Sequence, residues 1–89
     1  MRARYLEVTF RRGRAFAAYL YLPREPGAKS ERTERLSAGL LVDYAAGGQP
    51  IGIEITAPTK VTLEQVNDAL GKLGLESLDA SELAPLRAA

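Results

Sequence analysis

Two carboxylates, Asp43 and Glu54, are the side chains of this chain best suited to acid–base catalysis or to binding a cation. Asp43 and Glu54 lie on the same face of a predicted β-hairpin, opposite its isoleucines. Two neighbouring carboxylates can serve as acid and base or bind a divalent cation. The predicted register separates them by about 13 Å along the strands, which is too far to share a proton or an ion. We therefore expect Asp43 to accept hydrogen bonds in the turn and Glu54 to pair with Arg32 or Arg35.

Arginines and tyrosines form a second combination with chemical potential, in the first quarter of the chain. Arginines can contact phosphates while rings stack on bases, so this mixture is typical of single-stranded nucleic-acid binding. The total charge of only +1 argues against such a module. We expect the tyrosines instead to meet a partner subunit or the C-terminal segment, and Leu41 to lie on the same face. The two sets are Arg4, Arg11, Arg12 and Arg14, and Tyr5, Tyr19 and Tyr21.

The composition removes most catalytic and metal-binding classes. The chain has no cysteine and no histidine, so it lacks thiolate chemistry, the usual metal ligand and the usual base at neutral pH. Its serines have no histidine to activate them, and Gly47 and Gly48 lack the lysine and helix start of a phosphate loop. We predict a non-enzymatic protein with no catalytic, cofactor or metal site.

Length and charge bound the remaining possibilities. The 89 residues, 46% hydrophobic and 26% charged, predict one domain over residues 1–89. The lack of cysteine favours a cytoplasmic location, and no apolar run is long enough to cross a membrane. Residues 1–24 carry six arginines against one glutamate, whereas residues 61–89 carry two basic and five acidic residues. This asymmetry fits a polyanionic ligand, an acidic partner or contact between two copies.

The central element that must position the carboxylates is a hairpin over residues 39–56. Its strands, about 39–44 and 50–56, alternate apolar and other residues around a turn that contains Gly48. Gly52 interrupts the second strand, which indicates that Leu41 pairs with it or that a tyrosine ring lies over it. A four-residue loop would match the apolar faces by pairing Tyr44 with Gln49, Val42 with Ile51 and Leu40 with Ile53.

An earlier hairpin over about 4–10 and 14–22 carries the arginines at its turn. A three-residue loop with Gly13 in the left-handed conformation matches the apolar faces, because it pairs Val8 with Phe16 and Leu6 with Ala18. The same register pairs Tyr5 with Tyr19 as an aromatic contact. The predicted core face of the second strand comprises Phe16, Ala18, Leu20 and Leu22.

The rest of the chain supplies an edge element and a helix. Residues 31–36 fit either a helix or a strand, and their position between strands favours the strand. Thr62 with Gln65 forms a capping box before a helix over about 63–73, and Gly74 is placed as its C-cap with Leu75 behind it. Residues 76–89 predict a short helical turn or a frayed tail.

The central hairpin carries a resemblance to a known family. The runs Gly39-Leu40-Leu41-Val42-Asp43-Tyr44 and Ile51-Gly52-Ile53-Glu54-Ile55, with Gly48 between them, resemble the core of domain of unknown function family 2283. The resemblance covers roughly residues 4–57 and implies a compact β-rich domain, without an established activity, of the kind expected to be an antitoxin-type partner. At the first turn, Arg11, Arg12 and Arg14 replace the acidic residues that family members usually carry.

Together these patterns predict an α+β fold. A small antiparallel sheet of four to five strands, built from two consecutive hairpins, should carry one C-terminal amphipathic helix on one face. One helix cannot cover both faces, so the leading hypothesis is a protein-interaction module that binds itself or a small protein partner. The alternatives are nucleic-acid binding through the arginine hairpin and, more weakly, a small enzyme that uses Asp43 and Glu54.

Overall fold

The computed structural model describes residues 4–87, which form a five-stranded antiparallel sheet with helices on one face. The predicted α+β class is confirmed. Residues 1–3 and 88–89, which the predicted domain and tail include, lie outside the described residues. The elements are β1 (Tyr5–Arg11), β2 (Arg14–Tyr21), β3 (Arg32–Ser37), β4 (Leu40–Tyr44), β5 (Pro50–Ile55), α1 (Leu63–Lys72), α2 (Ala80–Leu83) and a 3-10 turn (Ala84–Arg87).

The sheet has the strand order β1-β2-β5-β4-β3, and every neighbouring pair is antiparallel. The strand β5 therefore lies in the middle, between β2 of the first hairpin and β4 of the second. The segment that the sequence left open between strand and helix is the edge strand β3.

The predicted register of the central hairpin is wrong by two residues. Leu40 lies opposite Ile55 and Val42 opposite Ile53. The loop is longer than predicted, since Tyr44 pairs with Pro50 rather than with Gln49, and the register also shifts between Asp43 and Tyr44. A two-residue error leaves each side chain on its predicted face, because strand alternation has a period of two.

The predicted loop of the first hairpin is also wrong. Arg12 and Gly13 form a two-residue turn with φ of 54° and 79°, and positive values at both positions are what a type I′ hairpin turn requires. A β-bulge beside it restores the expected parity, so Val8 pairs with Ala18 and Leu6 with Leu20. The bulge turns Phe16 outward to 54% exposure and buries Ala15, which corrects the prediction of Phe16 in the core.

The covered face of the sheet packs against α1 and the C-terminal segment. The capping box at Thr62 is present, and the Leu75 amide donates to the Leu70 carbonyl after Gly74, whose φ is 73°. Residues 76–87 pack onto the core, and the Asn67 side chain bonds both backbone groups of Leu78. The buried side chains from these elements include Val66, Ala69, Leu70, Leu78, Leu83 and Leu86. No helix within residues 4–87 has the length and apolar character to cross a membrane.

Candidate functional site: the open face of the sheet

The face of the sheet opposite the helices carries two rows of residues that run across all five strands. Neighbours within each row are directly paired across the strands. We call this surface the open face. In order from β1 to β3, its rows are Tyr5, Tyr21, Gly52, Asp43 and Thr33, and Glu7, Tyr19, Glu54, Leu41 and Arg35.

A tyrosine ring lies directly on Gly52 at the centre of the open face. A Cβ atom added to Gly52 would stand 2.0 Å from the Tyr19 hydroxyl oxygen and 2.2 Å from Cζ. The Tyr19 hydroxyl donates to Asp43 Oδ2 at 2.8 Å. Burial and the adjacent Asp43 carboxylate both raise the pKa of Tyr19. Gly52 thus makes room for a ring, one of the two possibilities that the sequence left open, while Asp43 rather than Leu41 is its strand partner.

Asp43 is the buried charged residue of the sheet, with 7% exposure. Its two oxygens accept hydrogen bonds from different strands: Oδ2 from Tyr19, and Oδ1 from the Thr33 hydroxyl at 2.6 Å. The expectation that Asp43 accepts hydrogen bonds in the turn is therefore wrong. A buried carboxylate with both oxygens hydrogen-bonded links β2, β4 and β3 across the sheet.

Glu54 lies next to Asp43, contrary to the predicted separation. In the observed register Glu54 pairs with Leu41 and Asp43 with Gly52, so the two carboxyls are diagonal neighbours. Burial raises the pKa of Glu54, and the neighbouring Asp43 carboxyl raises it further. The expected ion pair with Arg32 is not formed, because Arg32 pairs with Glu34 and lies 4.2 Å above the Tyr44 ring. Arg35, the other expected partner, is one strand further away, beyond Leu41.

The remaining tyrosines form a cluster at the β1 side of the open face. Tyr5 stacks on Tyr21 with ring centres 4.5 Å apart, and Tyr19 meets Tyr21 edge-on at 4.7 Å. The predicted Tyr5–Tyr19 pair is therefore wrong. The Tyr21 hydroxyl donates to Glu7 at 3.2 Å. These rings, together with the half-buried Leu41, make the centre of the open face partly apolar.

Two residues of this face are not among the candidates that the sequence pattern indicates. Thr33 lies opposite Asp43 only because of the β3–β4 register, which the charged β3 sequence does not specify. Arg24 follows β2, bonds the Ile51 carbonyl and lies 5.4 Å from the Tyr21 ring centre. The alternating pattern of the strand ends at Pro23, so Arg24 lies outside it and no sequence signal identifies this arginine.

The four arginines predicted to contact a polyanion are divided between two places. Arg11, Arg12 and Arg14 converge at the turn of the first hairpin. Arg4 instead donates to the carbonyls of Glu76 and Ser77 at 2.6 Å each, and its Nε lies 3.5 Å from Glu82. Arg4 thus anchors the C-terminal segment to β1.

The described part of the chain contains no group of three or more acidic side chains placed to hold a metal ion. The Asp43–Glu54 pair supplies only two carboxyls, and the oxygens of Asp43 already accept from Tyr19 and Thr33. This geometry suits a structural hydrogen-bond network within the sheet better than a ligand-binding site.

The chain has a match among protein families, and it lies over the strands just described. The profile of a family described as protein of unknown function, DUF2283, matches residues 17–57, from within β2 to the loop after β5. No curated protein and no solved structure gives a significant match. The resemblance predicted over roughly 4–57 is therefore confirmed for residues 17–57, the part of this chain that matches the DUF2283 family.

Proposed function

We propose that this protein is a non-enzymatic interaction module that pairs with a second copy of itself through the open face. The observation that carries the proposal is the order of charges across this face. Glu7 stands at the β1 edge and Arg35 at the β3 edge of the same row, and both are exposed. A surface that is acidic at one edge and basic at the other is complementary to itself.

A two-fold axis parallel to β5 would bring two open faces together with their edges reversed. Glu7 of each copy would then face Arg35 of the other, and Tyr19 would face Leu41. Such an isologous contact satisfies both charge pairs at once, because the same patch serves both copies. Sheets that pack face to face with nearly aligned strands do so about 10 Å apart, which leaves room for these side chains.

The size of the face predicts a weak dimer. Five strands about 4.8 Å apart and about 20 Å long give roughly 500 Å² per copy, or about 1,000 Å² in total. This area lies at the lower limit of specific interfaces. Tyr19 and Tyr21 lie inside the face, and Glu7 and Arg35 lie at its rim, as in the usual anatomy of such contacts; Glu54, on the two-fold axis, is the exception. We therefore expect a dissociation constant in the micromolar range.

The test exchanges the two edge charges in separate variants. Glu7→Lys puts like charges at both contacts of its own dimer, and Arg35→Glu does the same with the opposite sign. Each variant alone should be monomeric by light scattering at concentrations where the natural chain is a dimer. An equimolar mixture should recover the dimer mass, because each contact then joins opposite charges.

The matched control is Glu25→Lys, which makes the same change of charge in an exposed loop and should leave the natural dimer intact. A natural chain that remains monomeric up to millimolar concentration would refute the proposal. Dimers formed equally well by both single variants would also refute it, since the open face would then not be the contact.

The family resemblance implies an antitoxin-type role. This role stays a prediction, because it requires a second protein and the structure contains a single chain. Asp43 and Glu54 are neighbours, so the distance between them no longer argues against the small-enzyme alternative. The hydrogen bonds argue against it instead, because the Asp43 oxygens accept from Tyr19 and Thr33 and a substrate would have to displace these partners. This arrangement supports a structural role.

A further inference from the structure

A groove of about 600 Å³ lies at the end of the sheet, away from the carboxylate network. One wall is the turn of the first hairpin, with Arg11, Arg12 and Arg14. The other wall is the loop 56–59 that follows β5, and Phe16 and Ala15 complete the lining. The groove is large enough for a small organic ligand or a nucleotide unit, since ligand sites usually measure 300 to 1,000 Å³.

The groove holds positive charge without a carboxylate to balance it. No acidic residue lines it, and no carboxylate within residues 4–87 forms an ion pair with its three arginines. Arg11 and Arg14 are direct strand partners, an arrangement in which like charges repel. Repulsion among these three arginines lowers the stability of the folded chain, and an anionic ligand would relieve that repulsion.

The turn residue Arg12 adds to this energetic cost. Its φ of 54° belongs to the left-handed region, where asparagine and glycine are favoured and arginine is strained. An asparagine at this position would form the same turn with less strain. A residue that fits its backbone poorly but supplies a charge is expected where binding, rather than stability, determines the choice.

An aromatic ring stands beside these cations. The bulge in the first hairpin turns Phe16 outward, and the Arg11 guanidinium lies 5.2 Å from the centre of its ring. Phe16 is 54% exposed, more than the other large apolar side chains of the described residues. An exposed ring next to a cation offers a stacking surface for a flat ligand that also carries negative charge.

We propose that this groove binds single-stranded nucleic acid, with phosphates on the three arginines and an unpaired base stacked on Phe16. A duplex offers no free base face to the ring, and an acidic peptide offers charge without a flat ring. DNA and RNA share the required chemistry, so the test uses both. This site is separate from the open face and does not depend on dimer formation.

The experiment measures fluorescence anisotropy of labelled ten-residue oligothymidylate and oligouridylate with the full chain. Both should bind at low salt, and affinity should fall with a slope of about −2 in a plot of log K against log salt, as expected for three phosphate contacts. The variant Arg11→Gln, Arg12→Asn and Arg14→Gln should lose at least tenfold in affinity. Its asparagine suits the left-handed turn, so the variant should fold.

Two further variants separate stacking from charge. Phe16→Ala should weaken binding about tenfold with an unchanged salt slope, because it removes a stacked base but no phosphate contact. The control Lys29→Gln, Arg32→Gln and Lys72→Gln removes the same charge elsewhere, and its affinity should stay within about threefold of the natural chain. Circular dichroism of each variant checks that it is folded.

Several results would overturn the proposal. A duplex of equal length or polyglutamate that binds as tightly as the single strand would show a general polyanion site. Unchanged affinity in Phe16→Ala would remove the stacking role. An equal loss in the groove variant and in the charge-matched control would show that net charge alone drives binding.

Discussion

The two faces of the sheet are stabilised in different ways, although they are built from the same strands. On the covered face, Leu40 and Ile53 are completely buried in a core that also contains side chains of the helices, so burial of apolar surface stabilises it. On the open face, Tyr19, Asp43 and Thr33 are joined by directional hydrogen bonds. An apolar face tolerates small shifts, whereas a hydrogen-bonded network requires its partners at fixed positions.

This difference explains why a register error affects only one face. Moving β4 against β5 by two residues still places aliphatic side chains against aliphatic side chains beneath α1. The same movement separates Asp43 from Glu54 and from the ring over Gly52. The polar network of the open face therefore depends on the register, and the apolar core does not.

The largest expected difference between the faces comes from adjacent residues of β4. Leu40→Ala should lower the free energy of unfolding by about 3 kcal/mol, because it leaves a cavity in the buried core. Leu41→Ala, on the open face, should lower it by less than about 1 kcal/mol. Urea unfolding followed by circular dichroism, at a protein concentration where the chain is monomeric, measures both. Equal losses would mean that the open face is covered within one chain.

A glycine substitution tests how rigidly the open face is held. Gly52→Ala should lower the free energy of unfolding by about 2 kcal/mol, since the new methyl group overlaps the Tyr19 ring. Gly47→Ala is the control: nothing lies within 4 Å of its added Cβ, so the change should stay within about 0.5 kcal/mol.

The same substitution in a Tyr19→Ala background identifies the cause. Without the ring, Gly52→Ala should become nearly neutral, and the double-mutant cycle should give a coupling of about 1 to 2 kcal/mol. A full loss of stability that persists in this background would mean that the strand backbone, rather than the ring, requires glycine.

The smallest expected effect concerns the two carboxyls. Because its pKa is raised in the folded chain, Glu54 stabilises the fold fully below its ordinary pKa of 4.5, and this contribution is lost as the pH rises through the folded-state value. Glu54→Gln should therefore be more stable than the natural chain at neutral pH, by about 0.5 kcal/mol for a partly solvated contact.

The measurement that tests this cause is the difference in free energy of unfolding between Glu54→Gln and the natural chain, followed as a function of pH. The gain from Glu54→Gln should grow between about pH 4 and neutrality, while Glu25→Gln in the exposed loop should show no such trend. A gain that is independent of pH would exclude repulsion between Glu54 and Asp43 as its cause.

The α+β class and much of the covered face could be predicted because they depend on composition and period. Leu40, Val42, Ile53 and Ile55 alternate with other residues, and a strand with this pattern must turn them to one side. The ends of α1 could be predicted as well, because Thr62 and Gly74 are local signals that need no distant partner.

The contacts of the candidate site could be predicted less completely, because they depend on strand registers that the turns and bulges set. Tyr19, Asp43, Gly52 and Glu54 were placed on one face, but their contacts followed from registers that the sequence did not specify. The Phe16 side chain points outward because of a β-bulge, and an alternating sequence pattern does not predict a bulge. Phe16 was therefore assigned to the core, although it stands beside the arginines.

The alternation within each strand is enough to predict which side chains share a face, because it depends only on the residues of that strand. The residues that meet across strands are set by loop geometry and by bulges, which appear only in the folded chain. The ring over Gly52, the two hydrogen bonds to Asp43 and the groove beside Phe16 are all consequences of this pairing.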